Sequence, residues 1–231
     1  MKRSVLAPVI ALYGLSVIGL VAYLFLSFSS AFVLPPFARL ALLGVICVAA
    51  YFGSRIMAKK SSEPQRIMRL TFWYFFGLYL LLLVTLVCFD SYFGRVGLGH
   101  VTKWSPQALT IYLEKSFNLI PFKTILKFVL APFTDSDISA RATITNILGN
   151  LAAFSPFAFF LPLLFDRLKK FGNFLLAMIG IVTAVELLQF ALLTGCCDID
   201  DLILNVGGAA ILFWVLRIDK VKRLVDRFVG M

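Results

Sequence analysis

The chain has 231 residues, 61% of them hydrophobic and 15% charged, with a mean hydropathy of +0.94. A single soluble core of that length could not hide so much apolar surface, which excludes a water-soluble globule and predicts a protein whose solvent is lipid. The net charge of +10 sits on short segments between apolar runs, not on one face that could grip a polyanion, so no nucleic-acid partner is expected.

Six apolar runs, over residues 4–26, 31–51, 70–89, 144–165, 173–193 and 202–216, read as membrane spans, the last of them short. A bilayer leaves each span to satisfy its own backbone hydrogen bonds, so the fold class is an all-α, polytopic transmembrane helical bundle. The first run follows Lys2 and Arg3 but is too long for a signal-peptide core of roughly 7 to 15 residues, and reads as an anchor. Spans one and two carry almost no polar side chains and read as lipid-facing scaffold, with Pro35 and Pro36 marking the turn between them. Residues 1–69 are therefore two amino-terminal helices and a cytoplasmic loop, and residues 70–231 a four-helix membrane core with an outer loop at 90–143.

Threading the spans from a cytoplasmic amino end leaves Lys2, Arg3, Arg55, Lys59, Lys60, Arg66, Arg69, Arg167, Lys169, Lys170, Arg217, Lys220, Lys222, Arg223 and Arg227 inside, 15 of the 22 basic residues. The positive-inside rule then puts both termini in the cytoplasm. Of the four cysteines, Cys47 and Cys88 read as small buried hydrophobes. Cys196 and Cys197 read as loop residues without zinc-ligand spacing. The only histidine, His100, has no partner motif and reads as a surface residue.

The connection at 90–143 exceeds ordinary loop length, which points to function. Its second half, NLIPFKTILKFVLAPF at 118–133, sets Phe122, Ile125, Leu126, Val129 and Leu130 at helical spacing, with Lys123 and Lys127 on another side. Too short to span, it reads as an amphipathic interfacial or re-entrant helix.

Three spans carry the chemistry. Asn146 and Asn150 share a face of the fourth, after Arg141 and before Pro156 and Pro162. Glu186 and Gln189 share a face of the fifth. Glu186 lies seven residues before its expected end, about 10 Å at 1.5 Å per residue. Insertion scales charge an acid at mid-span about 2.5 to 3.5 kcal/mol, so such a group faces the bundle interior and marks function by default. Asp198, Asp201, Asn205 and Gly208 form one stripe on the sixth span, while Asp200 points elsewhere. Capping of that helix by Asp198 or Asp200 is a competing role, and the glycines at 207 and 208 suit close helix packing. Arg141, Asn146, Asn150, Glu186, Gln189, Asp198, Asp201 and Asn205 are thus expected to line an outward polar pocket, against the competing reading of hydrogen-bond glue between helices.

NLIPF at 118–122, Arg141 followed by NILGN at 146–150, SPFAFFLP at 155–162, VELLQ at 185–189 and DIDDLILN at 198–205 together resemble the successive signatures of VanZ-like membrane proteins. The resemblance implies a small multi-pass protein of the bacterial cytoplasmic membrane, of a kind that includes proteins conferring resistance to teicoplanin and similar lipophilic glycopeptides. It carries over Asn118, Pro121, Arg141, Asn146, Asn150, Pro156, Glu186, Gln189, Asp198, Asp201 and Asn205 as family positions. The family often places an arginine where this chain has Cys196 and Cys197, which makes the local site more acidic.

Three functions follow as expectations. The first is a non-enzymatic protein whose pocket binds a membrane lipid or lipid-linked cell-wall precursor, affecting lipophilic glycopeptides indirectly and needing no cofactor. The second is a membrane-embedded enzyme holding Mg²⁺, a hard cation that takes oxygen ligands, on Asp198, Asp201 and Glu186. The third is a small transporter with Glu186 as its proton site.

Overall fold

The computed structural model describes residues 3–28, 35–89, 104–130, 133 and 140–230. His100 and the side chains of Cys88 and Arg141 lie outside what is described. The described chain is nearly all α-helix, and the helices long and apolar enough to cross a bilayer make it a multi-pass membrane protein.

Two compact units divide it, Met1–Leu86 with Arg223–Met231, and Val87–Lys222. The first contains α1 (Arg3–Phe28), α2 (Pro36–Ala58) and most of α3 (Pro64–Phe89). Both α2 and α3 open on a proline, whose missing N–H falls where a helix start has no acceptor for it. α3 starts six residues before the expected span at 70, because Arg66 and Arg69 are exposed and stay solvated in its first two turns.

Tyr23, Leu43, Ile46 and Leu78 form the core of this unit, and Gly19 lets α1 close on α2. A Cβ there would stand 2.7 Å from Ile46 Cγ1. The few polar side chains of the two amino-terminal spans are not idle on a lipid face. Tyr13 Oη and Ser54 Oγ pair at 2.7 Å, Thr71 Oγ1 donates to Ser54 Oγ at 2.6 Å, and Ser16 pairs with Tyr74 at 3.1 Å. The unit closes with the last turn of α10 (Asp219–Val229), where Phe228 stacks on Tyr51 at 4.8 Å and accepts its phenolic O–H at 2.9 Å through the backbone carbonyl.

The second unit opens with α4 (Pro106–Lys115), whose start is capped by Ser105 Oγ accepting the Ala108 N–H at 3.0 Å. A two-residue strand β1 (Phe117–Asn118) and the short α5 (Lys123–Leu130) follow. The fourth expected span is present over Asn146–Leu164, with a short turn inside it. It breaks at Ser155 and Pro156 into α6 (Ala140–Ala153) and α7 (Phe157–Leu164). Pro156 supplies no N–H to continue the ladder, and Ser155 Oγ donates back to Leu151 O at 2.5 Å.

After a 3₁₀ turn, α8 (Phe171–Leu192) ends at Leu193, whose left-handed φ of 49° turns its N–H back to Gln189 and Phe190 carbonyls. Gly195, at φ 68°, then directs the chain into β2 (Cys197–Asp198), which pairs in parallel with β1. The last span, α9 (Ile199–Val215), has 17 residues, about 25 Å against a hydrocarbon layer of about 30 Å. Among the described residues five helical segments are each long and apolar enough to cross a bilayer, and a sixth is so only if α9 and α10 are taken together.

Candidate functional site

Residues 104–118, within the connection between α3 and α6, pack against the end of α8. Phe190 receives the rings of Trp104, Tyr112 and Phe117 at 6.2, 5.7 and 6.2 Å, and Trp104 Nε1 donates to Ala191 O at 2.8 Å. Edge-on aromatic packing of this kind fixes α4 and β1 over the α8 terminus. Pairing of β1 with β2 then sets Asn118 beside Asp198.

Asp198 caps α9, with Oδ1 accepting the Asp200 N–H at 2.9 Å. The same oxygen accepts Asn118 Nδ2 at 2.9 Å, while Oδ2 accepts Thr124 Oγ1 at 2.6 Å. Its backbone N–H donates to Glu186 Oε2 at 3.3 Å, which ties the cap to the acid buried in α8. The Asp198 carboxylate thus serves its own helix and the loop, and its backbone N–H the neighbouring span.

Asp200 does point away from the stripe, but not to solvent. It is completely buried, with Oδ1 accepting the Phe122 N–H at 2.5 Å and Oδ2 those of Thr124 and Ile125 at 2.7 and 3.0 Å. Those are the first free N–H groups of α5, so Asp200 is an anion seated on the positive end of a helix from another part of the chain. Phe122 holds a left-handed φ of 64°, a conformation costing an L residue roughly 1 to 2 kcal/mol, and charge-assisted bonds to its own and following N–H groups offset that cost. α5 buries no side chain, so polar contacts at its start fix its place.

The remaining expected residues divide. Asn150 Nδ2 donates to Asp201 Oδ1, joining α6 to α9. These helices approach closely where Gly208 lies against Leu151, since a Cβ on Gly208 would overlap the Leu151 carbonyl. Gln189, 2% exposed, donates to Val87 O at 3.0 Å. Asn205 is 4% exposed, and its Oδ1 has no hydrogen-bond partner among the described residues. Asn146 is exposed and does not join them, and Pro121 stands exposed in the turn before α5. Arg141 falls in α6, but its side chain lies outside the described residues.

Three contributors carried no local signal in the sequence: Thr124, Tyr112 and Trp104. Thr124 is an ordinary loop residue until Asp198 is placed beside it. Tyr112 is buried next to Cys197, and its phenol is pushed up by burial first and then by Cys197, Cys196 and Glu186. The Cys197 thiol is likewise pushed up, by burial first and then by Glu186, Asp198 and Asp201, and so is held neutral, while Cys196 is exposed.

The oxygens of Asp198 and Asp200 are engaged within the chain. Among the described residues no three His, Cys, Asp or Glu side chains are grouped to hold a metal ion. The arrangement therefore works first as a clasp that fixes an exposed loop helix to two transmembrane helices. The family model described as VanZ/LLP1 matches residues 76–220, more than half of the chain and every residue of the clasp. No curated protein and no solved structure is significantly similar to the chain.

Proposed function

The chain belongs to the VanZ/LLP1 family, linked in general to glycopeptide resistance, and on that premise we propose that it lowers the effect of lipophilic glycopeptides of the teicoplanin type. It does so from the bacterial cytoplasmic membrane, with both termini in the cytoplasm and the clasped loop at the outer surface. The loop is a platform for a membrane lipid or a lipid-linked cell-wall precursor.

The observation that supports this reading is the contrast at α5. Its start is locked by Asp200 and Asp198, yet Leu119, Ile120, Phe122, Leu126, Val129 and Leu130 are all exposed. A soluble loop would bury such residues. In the interface of a bilayer they enter the acyl region while the exposed Lys123 and Lys127 reach headgroup phosphates. A rigidly held platform loses little further freedom on binding an amphiphile, which favours a lasting complex. A lipid-linked precursor held there is shielded from an antibiotic that reaches it through its own lipid tail.

The test compares teicoplanin and vancomycin susceptibility in a bacterium expressing the wild type, Asp198→Asn, Asp200→Asn, Asp201→Asn or Glu186→Gln, with membrane abundance measured for each. Teicoplanin susceptibility should rise at unchanged abundance, with vancomycin susceptibility unaltered. Variants at full abundance with wild-type teicoplanin resistance would exclude the clasp from the function.

A further inference from the structure

The amino-terminal unit contains a cavity of about 300 Å³ between α1, α2 and α3, at the small end of the roughly 300 to 1,000 Å³ usual for ligand pockets. Every residue lining it precedes residue 76, so it lies outside the region the family model matches. It runs from Met57 and Ile67, within a few residues of the connection between α2 and α3, to Leu20 and Tyr74, which pack against the core around Tyr23 and Ile46.

Five hydroxyl groups border it, on Tyr13, Ser16, Ser54, Thr71 and Tyr74. They pair in two groups, Tyr13–Ser54–Thr71 and Ser16–Tyr74; Ser54 Oγ donates to Ala50 O at 2.8 Å, and the single Thr71 hydroxyl hydrogen is shared between Ser54 Oγ and Ile67 O at 2.9 Å. Paired in this way, the hydroxyls hold the helices at fixed spacing while Val17, Leu20, Met57 and Leu70 supply the apolar wall. The wall left between them is mostly apolar, and an apolar cavity does not hold water well. Hydrocarbon is the matching occupant. Val17 and Leu70 are themselves exposed, so the cavity wall reaches the lipid-facing surface, where acyl chains are the surrounding solvent.

The chain beside Met57 and Ile67 is basic. The last turn of α2, the connection and the first two turns of α3 carry Arg55, Lys59, Lys60, Arg66 and Arg69 against one acid, Glu63, which is taken up by Arg66 at 2.9 Å. Lys59 and Lys60 stand exposed at the connection. We propose that this cavity holds one acyl chain of an anionic phospholipid, whose phosphate is bound by the basic connection between α2 and α3. The bound lipid fills the wedge between three helices that meet through hydroxyl pairs, and so is a structural part of the unit.

Native mass spectrometry of the full chain, purified in detergent and equilibrated with dioleoylphosphatidylglycerol or dioleoylphosphatidylcholine, tests this. The wild type should retain one phosphatidylglycerol per chain and at least tenfold less phosphatidylcholine. Ala50→Phe fills the cavity from its buried side. Val17→Phe fills it from the exposed side, where a larger ring does not threaten folding, and circular dichroism checks both. Each should cut the phosphatidylglycerol adduct at least tenfold, and the triple variant Lys59→Gln, Lys60→Gln, Arg66→Gln should bring the two lipids to equal retention. Equal retention by the wild type, no adduct, or an undiminished adduct in folded Val17→Phe protein would each overturn the proposal.

Discussion

Asp200 and Phe122 stand 78 positions apart in the chain, and the carboxylate of the first accepts the backbone N–H of the second at 2.5 Å. The contact joins the first turn of a transmembrane helix to the first turn of a loop helix that has no buried side chain of its own. Asp200→Asn keeps the shape and removes the charge, leaving three N–H groups facing a neutral amide. The loss should be about 2 kcal/mol, the scale of bonds to a charged group, and should fall on the loop rather than on the spans. Limited proteolysis in detergent should show residues 104–130 cut at least tenfold faster in the variant, with circular dichroism at the helix minimum almost unchanged.

Thr124 and Asn118 share Asp198, through bonds of 2.6 and 2.9 Å. Thr124→Val leaves one oxygen of a buried carboxylate without that donor, at a cost of roughly 1 to 3 kcal/mol, whereas Thr124→Ser restores it. Because the two donors serve one acceptor group, a double-mutant cycle with Asn118→Ala should show coupling of about 0.5 kcal/mol or more in thermal unfolding. Strict additivity would mean that Asp198 does not bridge them.

The spans were legible in the sequence because hydropathy is a local property, whereas the α9 cap was legible only as a competing role for Asp198 or Asp200, and it is Asp198 that fills it. What lay beyond reach was pairing across distance. A helical wheel sets Asp200 off the Asp198–Asp201–Asn205 stripe, and the structure agrees, but nothing near residue 200 reveals that its partner is the start of α5. Asn146 and Asn150 share a helical spacing, yet Asn150 is the one that meets Asp201, because α6 approaches α9 at Leu151, the residue next to Asn150 and more than a turn past Asn146. Pro156 was visible as a kink. That it divides one expected span into α6 and α7 depends on how Ser155 and the flanking carbonyls are satisfied.

Cys196 and Cys197 are neighbours with opposite expected reactivity. Cys196 is exposed, while Cys197 is partly buried, donates its backbone N–H to Ser116 O at 2.8 Å, and has its thiol raised above the ordinary value of 9.0 by burial and by Glu186, Asp198 and Asp201. In Cys197→Ser protein, maleimide labelling of Cys196 should be rapid near neutral pH. In Cys196→Ser protein, labelling of Cys197 should be slow and still climbing with pH past 9, since the thiolate is the nucleophile. A raised pKa in the folded state means the native chain holds the proton more tightly, so this group's contribution is intact below pH 9 and is lost as pH rises beyond it. Equal labelling rates at every pH would place Cys197 outside the acid cluster.

Gly207 and Gly208 are adjacent in α9 and should answer the same substitution in opposite ways. A Cβ on Gly207 meets nothing within 4 Å, so Gly207→Ala adds helix propensity without a clash and should be neutral or stabilising by up to about 1 kcal/mol. A Cβ on Gly208 would overlap the backbone carbonyl of Leu151, which no side-chain rotation can relieve. Gly208→Ala must therefore push α6 away from α9 and stretch the Asn150–Asp201 bond, an overpacking cost of roughly 1 to 3 kcal/mol. Thermal unfolding in detergent gives the two signs directly. A Gly208→Ala protein as stable as Gly207→Ala would mean that the α6–α9 crossing is looser than the position of Leu151 requires.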